Sequence, residues 1–279
     1  MLSIFTTFTD PKKRMDPWEE ALECYKDFAD EVIVTGKDWK PEFTWKDIGK
    51  NFQDGFNLSN GDWVIRMDID YFFHEKSKER LLNALKNSTD YPAIAIPQYQ
   101  FFTVGRYQLK TRLCIILNKK KFPNIKLNGG GDYCLATLNG SLITPNSVPN
   151  YNIPIYQYDA MFRTKDIIAS DRARFARAWH REFGNYGDRG GSTDQEAFDA
   201  WNKQIIRKYP EHVHILNLEN HPKYIKNKLA NLNNKQFGYD MFGIKNNYKF
   251  NFINFIKGKK EFYFGRSINN LRRFKNSYS

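Results

Sequence analysis

The feature that most constrains this chain is the regular exchange of strand-like and helix-like patterning over its first ninety residues. Positions 2–8 read as a first strand. Asp16-Pro17 then opens a helix, because Asp caps well and Pro is preorganised for the first helical position. Trp18, Leu22, Tyr25, Phe28 and Ala29 follow at helical spacing. Positions 31–35 are a short β-branched run closed by Gly36, and 44–59 return to a helical period through Trp45, Ile48, Phe52 and Phe56. Asn60-Gly61 makes a turn into a third strand over 62–67. A helix over 75–86 and a strand over 93–96 complete the pattern. Strands joined by helical crossovers imply a mostly parallel, doubly wound α/β sheet flanked by helices.

The middle is less regular. Positions 98–118 and 132–160 read as strands and loops, punctuated by Gly129-Gly130-Gly131 and by Pro145, Pro149 and Pro154. Helices return at 165–183 and 193–208, and 212–216 reads as a strand. The longest apolar run, 113–117, is far shorter than the roughly 20 residues a spanning helix needs. The N-terminus carries no basic n-region and no long apolar stretch, so a cytoplasmic protein is expected. Cys24, Cys114 and Cys134 are odd in number and far apart, which fits buried thiols better than a disulfide framework or a zinc site.

Charge divides the chain unevenly. The net charge is +12, and residues 221–279 hold ten Lys and three Arg against Asp240 and Glu261, a balance of +11. Residues 1–220 are therefore nearly neutral. Such a basic segment suits phosphate-rich partners, either nucleic acid or an anionic membrane surface. The same lysines accompany a general richness in Asn, Phe, Tyr and Ile, as an AT-rich coding sequence would produce.

Chemistry concentrates at Asn60-Gly-Asp-Trp-Val-Ile-Arg66-Met-Asp68-Ile-Asp70. An apolar strand runs straight into two carboxylates one residue apart. Ligands of open α/β sheets bind at the carboxyl ends of the strands, which is where this places the pair. Two hard oxygen ligands there suit Mg²⁺ or Mn²⁺, which in turn holds a diphosphate.

These residues resemble the GT-A glycosyltransferases, particularly those like family 2. The resemblance lies in Lys50-Asn51-Phe-Gln-Asp-Gly55 followed by Gly61-Asp62-Trp63 and the Asp68-Ile-Asp70 pair, and it covers residues 1 to about 90. The chain is also similar to uncharacterised glycosyltransferases of tailed bacteriophages, for which the cytoplasm would be that of a bacterial host. The resemblance implies a GT-A catalytic domain over 1–220, with a nucleotide-sugar-binding half at 1–90 and an acceptor-side half at 91–220. A helical, basic, aromatic-rich extension then occupies 221–279. It further implies that Asp70 binds the divalent ion and that Asp68 contacts the ribose or the same ion. Thr6, Thr7 and Arg66 would lie beside the nucleotide sugar, and His221 would be a third metal ligand with His74 as its competitor. Family members often place an Asp-Asp or Asp-Gly-Ser run after the second strand; here Gly36-Lys37-Asp38 stands in that place, so Asp38 takes the nucleotide contact.

An inverting transfer needs a carboxylate to deprotonate the acceptor hydroxyl. Gly190-Gly191-Ser-Thr193-Asp194-Gln-Glu196 leads into a helix, and Asp194 is the preferred base. Glu196 and Asp159 are the alternatives, although Thr193 with Glu196 also forms a helix-capping box. Arg172, Arg174, Arg177 and Arg181 read as a solvated helix face or, alternatively, a phosphate- or acceptor-binding one. The expected activity is metal-dependent transfer from a nucleotide sugar, UDP-sugar first, to the hydroxyl of a glycan or lipid-linked saccharide. A hydroxymethylated pyrimidine in DNA is the alternative acceptor. Two other classes compete: a nucleotidyltransferase, which would want a Gly-rich signature near the first strand, and a non-catalytic nucleic-acid-binding protein driven by the tail.

Overall fold

Parallel pairing begins where the crossover pattern demands it. β1 (Leu2–Thr7) pairs in parallel with β2 (Glu31–Thr35) on one side and with β3 (Trp63–Arg66) on the other. The two connecting helices, α1 (Trp18–Phe28) and α2 (Trp45–Leu58), pack on opposite faces. Leu2 and Ile4 of β1 join the core under α1, while Phe5 joins the core under α2. Successive residues thus enter opposite cores, as a strand covered on both sides requires. A strand flanked by crossovers on opposite faces opens a crevice at its carboxyl end, so the fold creates a binding site there before any side chain is considered.

This is a computed structural model, and it describes residues 1–36, 39, 40, 42–127, 135–247, 252, 253 and 256. Asp38, Gly129-Gly130-Gly131, Cys134 and, within the basic tail, residues 248–251, 254, 255 and 257–279 lie outside the described residues. The chain continues through β4 (Tyr71–Phe73), α3 (Lys78–Lys86), β5 (Ala93–Thr103) and β6 (Arg106–Asn118). A small hairpin of β7 (Thr137–Leu138) and β8 (Ser141–Leu142) precedes β9 (Ile155–Gln157). α4 (Lys165–Phe183), α5 (Asp194–Lys208), β10 (His214–Ile215), α6 (Lys223–Ala230) and α7 (Phe237–Asp240) follow. Among the described residues, the sheet has the order β2-β1-β3-β6-β5-β9-β4, with β10 on the far end of β6.

The α/β class holds, but the sheet is mixed rather than mostly parallel. β5 does not stop at residue 96. It runs on to Thr103, turns at Val104-Gly105 and returns as β6, which inserts between β5 and β3 and is antiparallel to both. Pro97 is accommodated inside β5 between two shifts of register, as prolines in strands usually are. The extension assigned to 221–279 is also closer to the body than its charge suggests. Tyr224, Ile225 and Leu229 of α6 are buried with α1, and Phe237 of α7 is buried against Phe102. Lys223 and Lys228 are paired with Asp27 (3.3 Å) and Glu20 (2.9 Å) on the body. The boundary drawn at residue 220 therefore cuts through packed structure. Among the described residues no helix is long and apolar enough to cross a membrane.

Two glycines set how closely α2 and β3 approach β1. A Cβ on Gly55 would lie 2.3 Å from the Phe5 ring, and one on Gly61 would lie 2.6 Å from the Ser3 nitrogen. The carboxyl end of α2 is held by a buried-stem lysine. Lys119 Nζ donates to the carbonyls of Phe56 (2.8 Å), Asn57 (2.8 Å) and Ser59 (2.6 Å). These are the orphan acceptors of a helix terminus, and an ammonium there also complements the dipole. Replacing Lys119 by Met keeps the stem and removes the donors. The expected loss is about 1.5 kcal/mol of unfolding free energy, read as a lower urea midpoint at unchanged slope.

Candidate active site

A cavity of about 540 Å³ opens at the carboxyl ends of β1 and β3. Thr7, Arg66, Asp68, Asp70, Gln157 and Asp159 line one side, and Trp39, Trp45, Phe52 and Phe175 line another. Its acid pair sits on a turn that is fixed from beneath. Met67 N–H donates to the Phe5 carbonyl (2.9 Å), and Tyr71 N–H donates to the Asp68 carbonyl (2.8 Å). The fully buried Tyr25 hydroxyl reaches the carbonyls of Asp68 (2.7 Å) and Tyr71 (3.0 Å). Asp68 Oδ1 accepts from Arg66 (2.8 Å), whose guanidinium lies over the Phe52 ring. Asp70 Oδ2 accepts from Gln157 Nε2 (3.2 Å), and Gln157 Oε1 in turn accepts from Gln98 (2.8 Å). That chain of amides fixes which way the Asp70 carboxylate points.

The electrostatics of Asp70 are unusual for a carboxylate. Burial, followed by the neighbouring charges of Asp159 and Asp68, pushes its pKa up to about 7. A cation arriving between these carboxylates would relieve that repulsion. Two carboxylates facing a roomy cavity fit Mg²⁺ or Mn²⁺, which takes one or two protein carboxylates and leaves other positions for phosphate and water. Among the described residues no group of three or more His, Cys, Asp or Glu is arranged to hold a metal.

The expected third ligand is elsewhere. His221 is fully buried, and its ring nitrogens are both committed. Nε2 donates to the Val104 carbonyl (3.0 Å), since a carbonyl can only accept, and Nδ1 therefore accepts from the Tyr158 hydroxyl (2.8 Å). No lone pair remains for a metal. His74, its competitor, caps the turn at Lys76 through Nδ1 and also lies outside the cavity.

Of the three candidate bases, Asp159 alone lines the cavity. Asp194 is exposed on the first turn of α5 and does not line the cavity. Glu196 is spent on the capping box: its carboxylate accepts from Thr193 N–H (3.2 Å), while its own N–H donates to Thr193 Oγ1 (3.3 Å). Asp159, just past β9, does face the cavity, with Gln100 and Arg172 each 3.4 Å from one of its oxygens. Thr6 is fully buried and points away from the cavity lining, whereas Thr7 is part of it.

Sequence reasoning missed the ion cluster that builds one wall. Asp16 is no helix cap; α1 begins after it, and its carboxylate takes Arg14 (3.0 Å) and Arg163 Nε (3.0 Å). Asp171 takes Arg14 (2.9 Å), Arg163 (3.0 Å) and Arg174 (3.1 Å). Burial alone would raise Asp171, and these arginines overcome it and hold it down at about 2. The arginines of α4 divide between the cavity wall and an exposed ion-paired end. Arg172 serves Asp159, Arg174 serves Asp171, and Arg177 and Arg181 both clamp Glu42. Only the spacing of Asp171 and Arg174 was a local signal for any of this. Cys24 and Cys114 are free thiols pushed up by burial, Cys114 to about 12.

Comparison with known proteins agrees with this geometry. Residues 42–140, which contain α2, β3 and the acid pair, match Glycosyl transferase family 2. The fold is accordingly an α/β fold of the GT-A type. Among solved structures, Staphylococcus aureus TarS 1–349 is similar at 10% identity and a TM-score of 0.34, covering 95% of this chain and 91% of that one. Its complex with UDP-GlcNAc is similar at 9% identity and a TM-score of 0.35, covering 95% and 92%. Similarity of that size carries no argument about activity. No curated protein sequence matches the chain.

The buried histidine makes a measurable prediction. Burial lowers His221 from 6.5 to about 4, so it stays neutral in the fold while the unfolded chain protonates near 6.5. Stability from this group is present above pH 6.5 and is lost as pH falls toward 4, by about 1.4 kcal/mol per pH unit. Urea unfolding at pH 7 and pH 5 should therefore show a smaller acid-side loss for His221→Asn than for the parent, whatever the variant's absolute stability.

Proposed function

We propose that this protein is a glycosyltransferase that moves a sugar from a nucleotide-sugar donor, UDP-sugar first, to an acceptor hydroxyl. The observation that carries the reading is the convergence of Asp68, Asp70 and Asp159 in one cavity, at the strand ends of a segment matching Glycosyl transferase family 2. Asp68 and Asp70 would hold a Mg²⁺ or Mn²⁺ ion, whose contribution is to offset charge on the departing nucleoside diphosphate. Asp159 replaces Asp194 as the base. It takes the acceptor's proton as the acceptor oxygen bonds to the anomeric carbon, and the bond from that carbon to the diphosphate breaks with its electron pair leaving on the diphosphate. Arg172 and Gln100 keep the Asp159 carboxylate turned to the cavity in the meantime. Thr7 and Arg66 stand beside the donor, and the aromatic wall of Trp39, Trp45 and Phe52 gives a flat group a surface to lie on.

The acceptor hydroxyl is assigned to a glycan or lipid-linked saccharide. DNA is the second reading, favoured by the +11 balance of residues 221–279. It requires duplex binding with a steep log–log salt slope, about −0.9 for each phosphate contacted, that disappears when the chain is ended at residue 247. Shallow or unchanged binding would remove DNA from consideration.

The test of the catalytic assignment is release of nucleoside diphosphate across a panel of sugar nucleotides and acceptors. Asp159→Asn should bind donor within about twofold of the parent and lose at least about 100-fold in turnover. Asp194→Asn should turn over normally; the opposite result would return the role to Asp194. Asp70→Asn should lose the gain in UDP affinity that Mn²⁺ gives the parent. Because it relieves repulsion among three carboxylates, it should also melt higher than the parent in metal-free buffer at pH 8.

A further inference from the structure

Six cationic side chains line the cavity, and four of them are already matched. Arg14 and Arg163 share Asp16 and Asp171, Arg66 holds Asp68, and Arg172 holds Asp159. Lys110 and Arg112 differ. Among the described residues neither forms an ion pair with a carboxylate, although the cavity is rich in carboxylates.

Their position on the sheet is definite. They stand two apart on β6, with Lys110 at the shift of register between Leu109 and Thr111, and both line the cavity. β6 is antiparallel to β3, with Ile65 opposite Ile116. β3 ends at Arg66, and the chain then passes through Asp68 and Asp70 to β4, which lies beyond β6 and β5 beside β9. The two cations and the acid pair nevertheless line the same cavity. Arg112 is half-buried, and burial pulls its guanidinium below the ordinary value with no carboxylate to offset the loss of hydration. Such a group is costly unless an anion completes it. A guanidinium fork beside a lysine point charge matches the oxygens of a phosphate, and the cavity leaves room for one.

We infer that Lys110 and Arg112 form a phosphate site in the wall of the cavity. The inference rests on the glycosyl-transfer reading only for what the phosphate belongs to: the donor's diphosphate, or a phosphate carried by the acceptor. In either case the site is a part of the substrate grip built from side chains of β6.

The experiment is calorimetric binding of uridine, UDP and inorganic pyrophosphate to the full chain, at one fixed Mn²⁺ concentration. The parent is compared with the double variant Lys110→Gln/Arg112→Gln. Pyrophosphate affinity should fall by more than about tenfold. A matching fall for UDP with uridine unchanged assigns the site to the donor diphosphate, and an unchanged UDP affinity assigns it to an acceptor phosphate. Arg112→Lys retains the charge and should recover most of the pyrophosphate binding, which separates loss of charge from loss of fold. Should the double variant melt below the parent, Lys110→Gln alone, an exposed position, is expected to lose several-fold and stay folded. Pyrophosphate and UDP binding equal to the parent in a folded double variant overturns the inference, as does a parent that binds neither probe. Pyrophosphate binding that needs both residues, in a parent that transfers no sugar, upholds the site and overturns the glycosyl-transfer reading instead.

Discussion

Two buried carboxylates, Asp16 and Asp171, hold together the part of the molecule on which its chemistry depends. The loop from β1 to α1 has no ladder of its own, yet it forms a wall of the cavity. Its anchor is Arg163, which reaches Asp16 from 147 residues away and Asp171 on α4 at the same time. Arg14 closes the same circuit from the loop side. Each of these ions would be expensive to bury alone, and removing one partner of such a set typically costs about 3–5 kcal/mol. α4 is tied in a second place by Arg177 and Arg181 to Glu42, just ahead of α2. One helix therefore fixes both the loop after β1 and the entry to α2, and the space between them is the cavity.

What could be read from the chain and what could not divides along sequence distance. The crossover helices, the strand into Asp68 and the turn at Asn60-Gly61 are local patterns, and each lies where its residues predict. Gly55 and Gly61 make the same point physically, since both stand where a side chain would strike β1. The long hairpin escaped notice because Pro97 interrupts the expected strand while the partner that rescues it lies beyond residue 105. The choice among candidate bases was out of reach for a similar reason. Asp194 and Asp159 are equally plausible as residue types, and only the packing of β9 beside β5 brings Asp159 to the cavity. His221 was a reasonable candidate ligand in a loop, but the Val104 carbonyl and the Tyr158 hydroxyl, both remote in sequence, occupy its nitrogens.

The site also shows a division of electrical labour that its composition hides. Cations and carboxylates are present in similar numbers around the cavity, yet they are not evenly neutralised. Arg14, Arg163 and Arg174 hold Asp171 far into its charged form, whereas Asp70 stands beside Asp68 and Asp159 and is discouraged from ionising. Structural carboxylates have been given their counter-ions and Asp68 has Arg66, while Asp70 on the ligand side keeps its deficit. A deficit of that kind is what a bound cation would fill.

The hairpin of β5 and β6 has a consequence for how the molecule is made. Its stem is local in sequence and can form early, but its tip is finished by a stretch that emerges about a hundred residues later. His214 and Ile215 pair with Tyr107 and Arg106, Leu216 N–H reaches the Gly105 carbonyl, and His221 takes the Val104 carbonyl. Domains are synthesised from the N-terminus at about 5–20 residues per second. For the seconds it takes to extend from residue 118 to 221, Lys110 and Arg112 therefore stand on a strand whose end has no cover. Every residue lining the cavity, from Thr7 to Phe175, is thus made before the stretch that closes the hairpin tip.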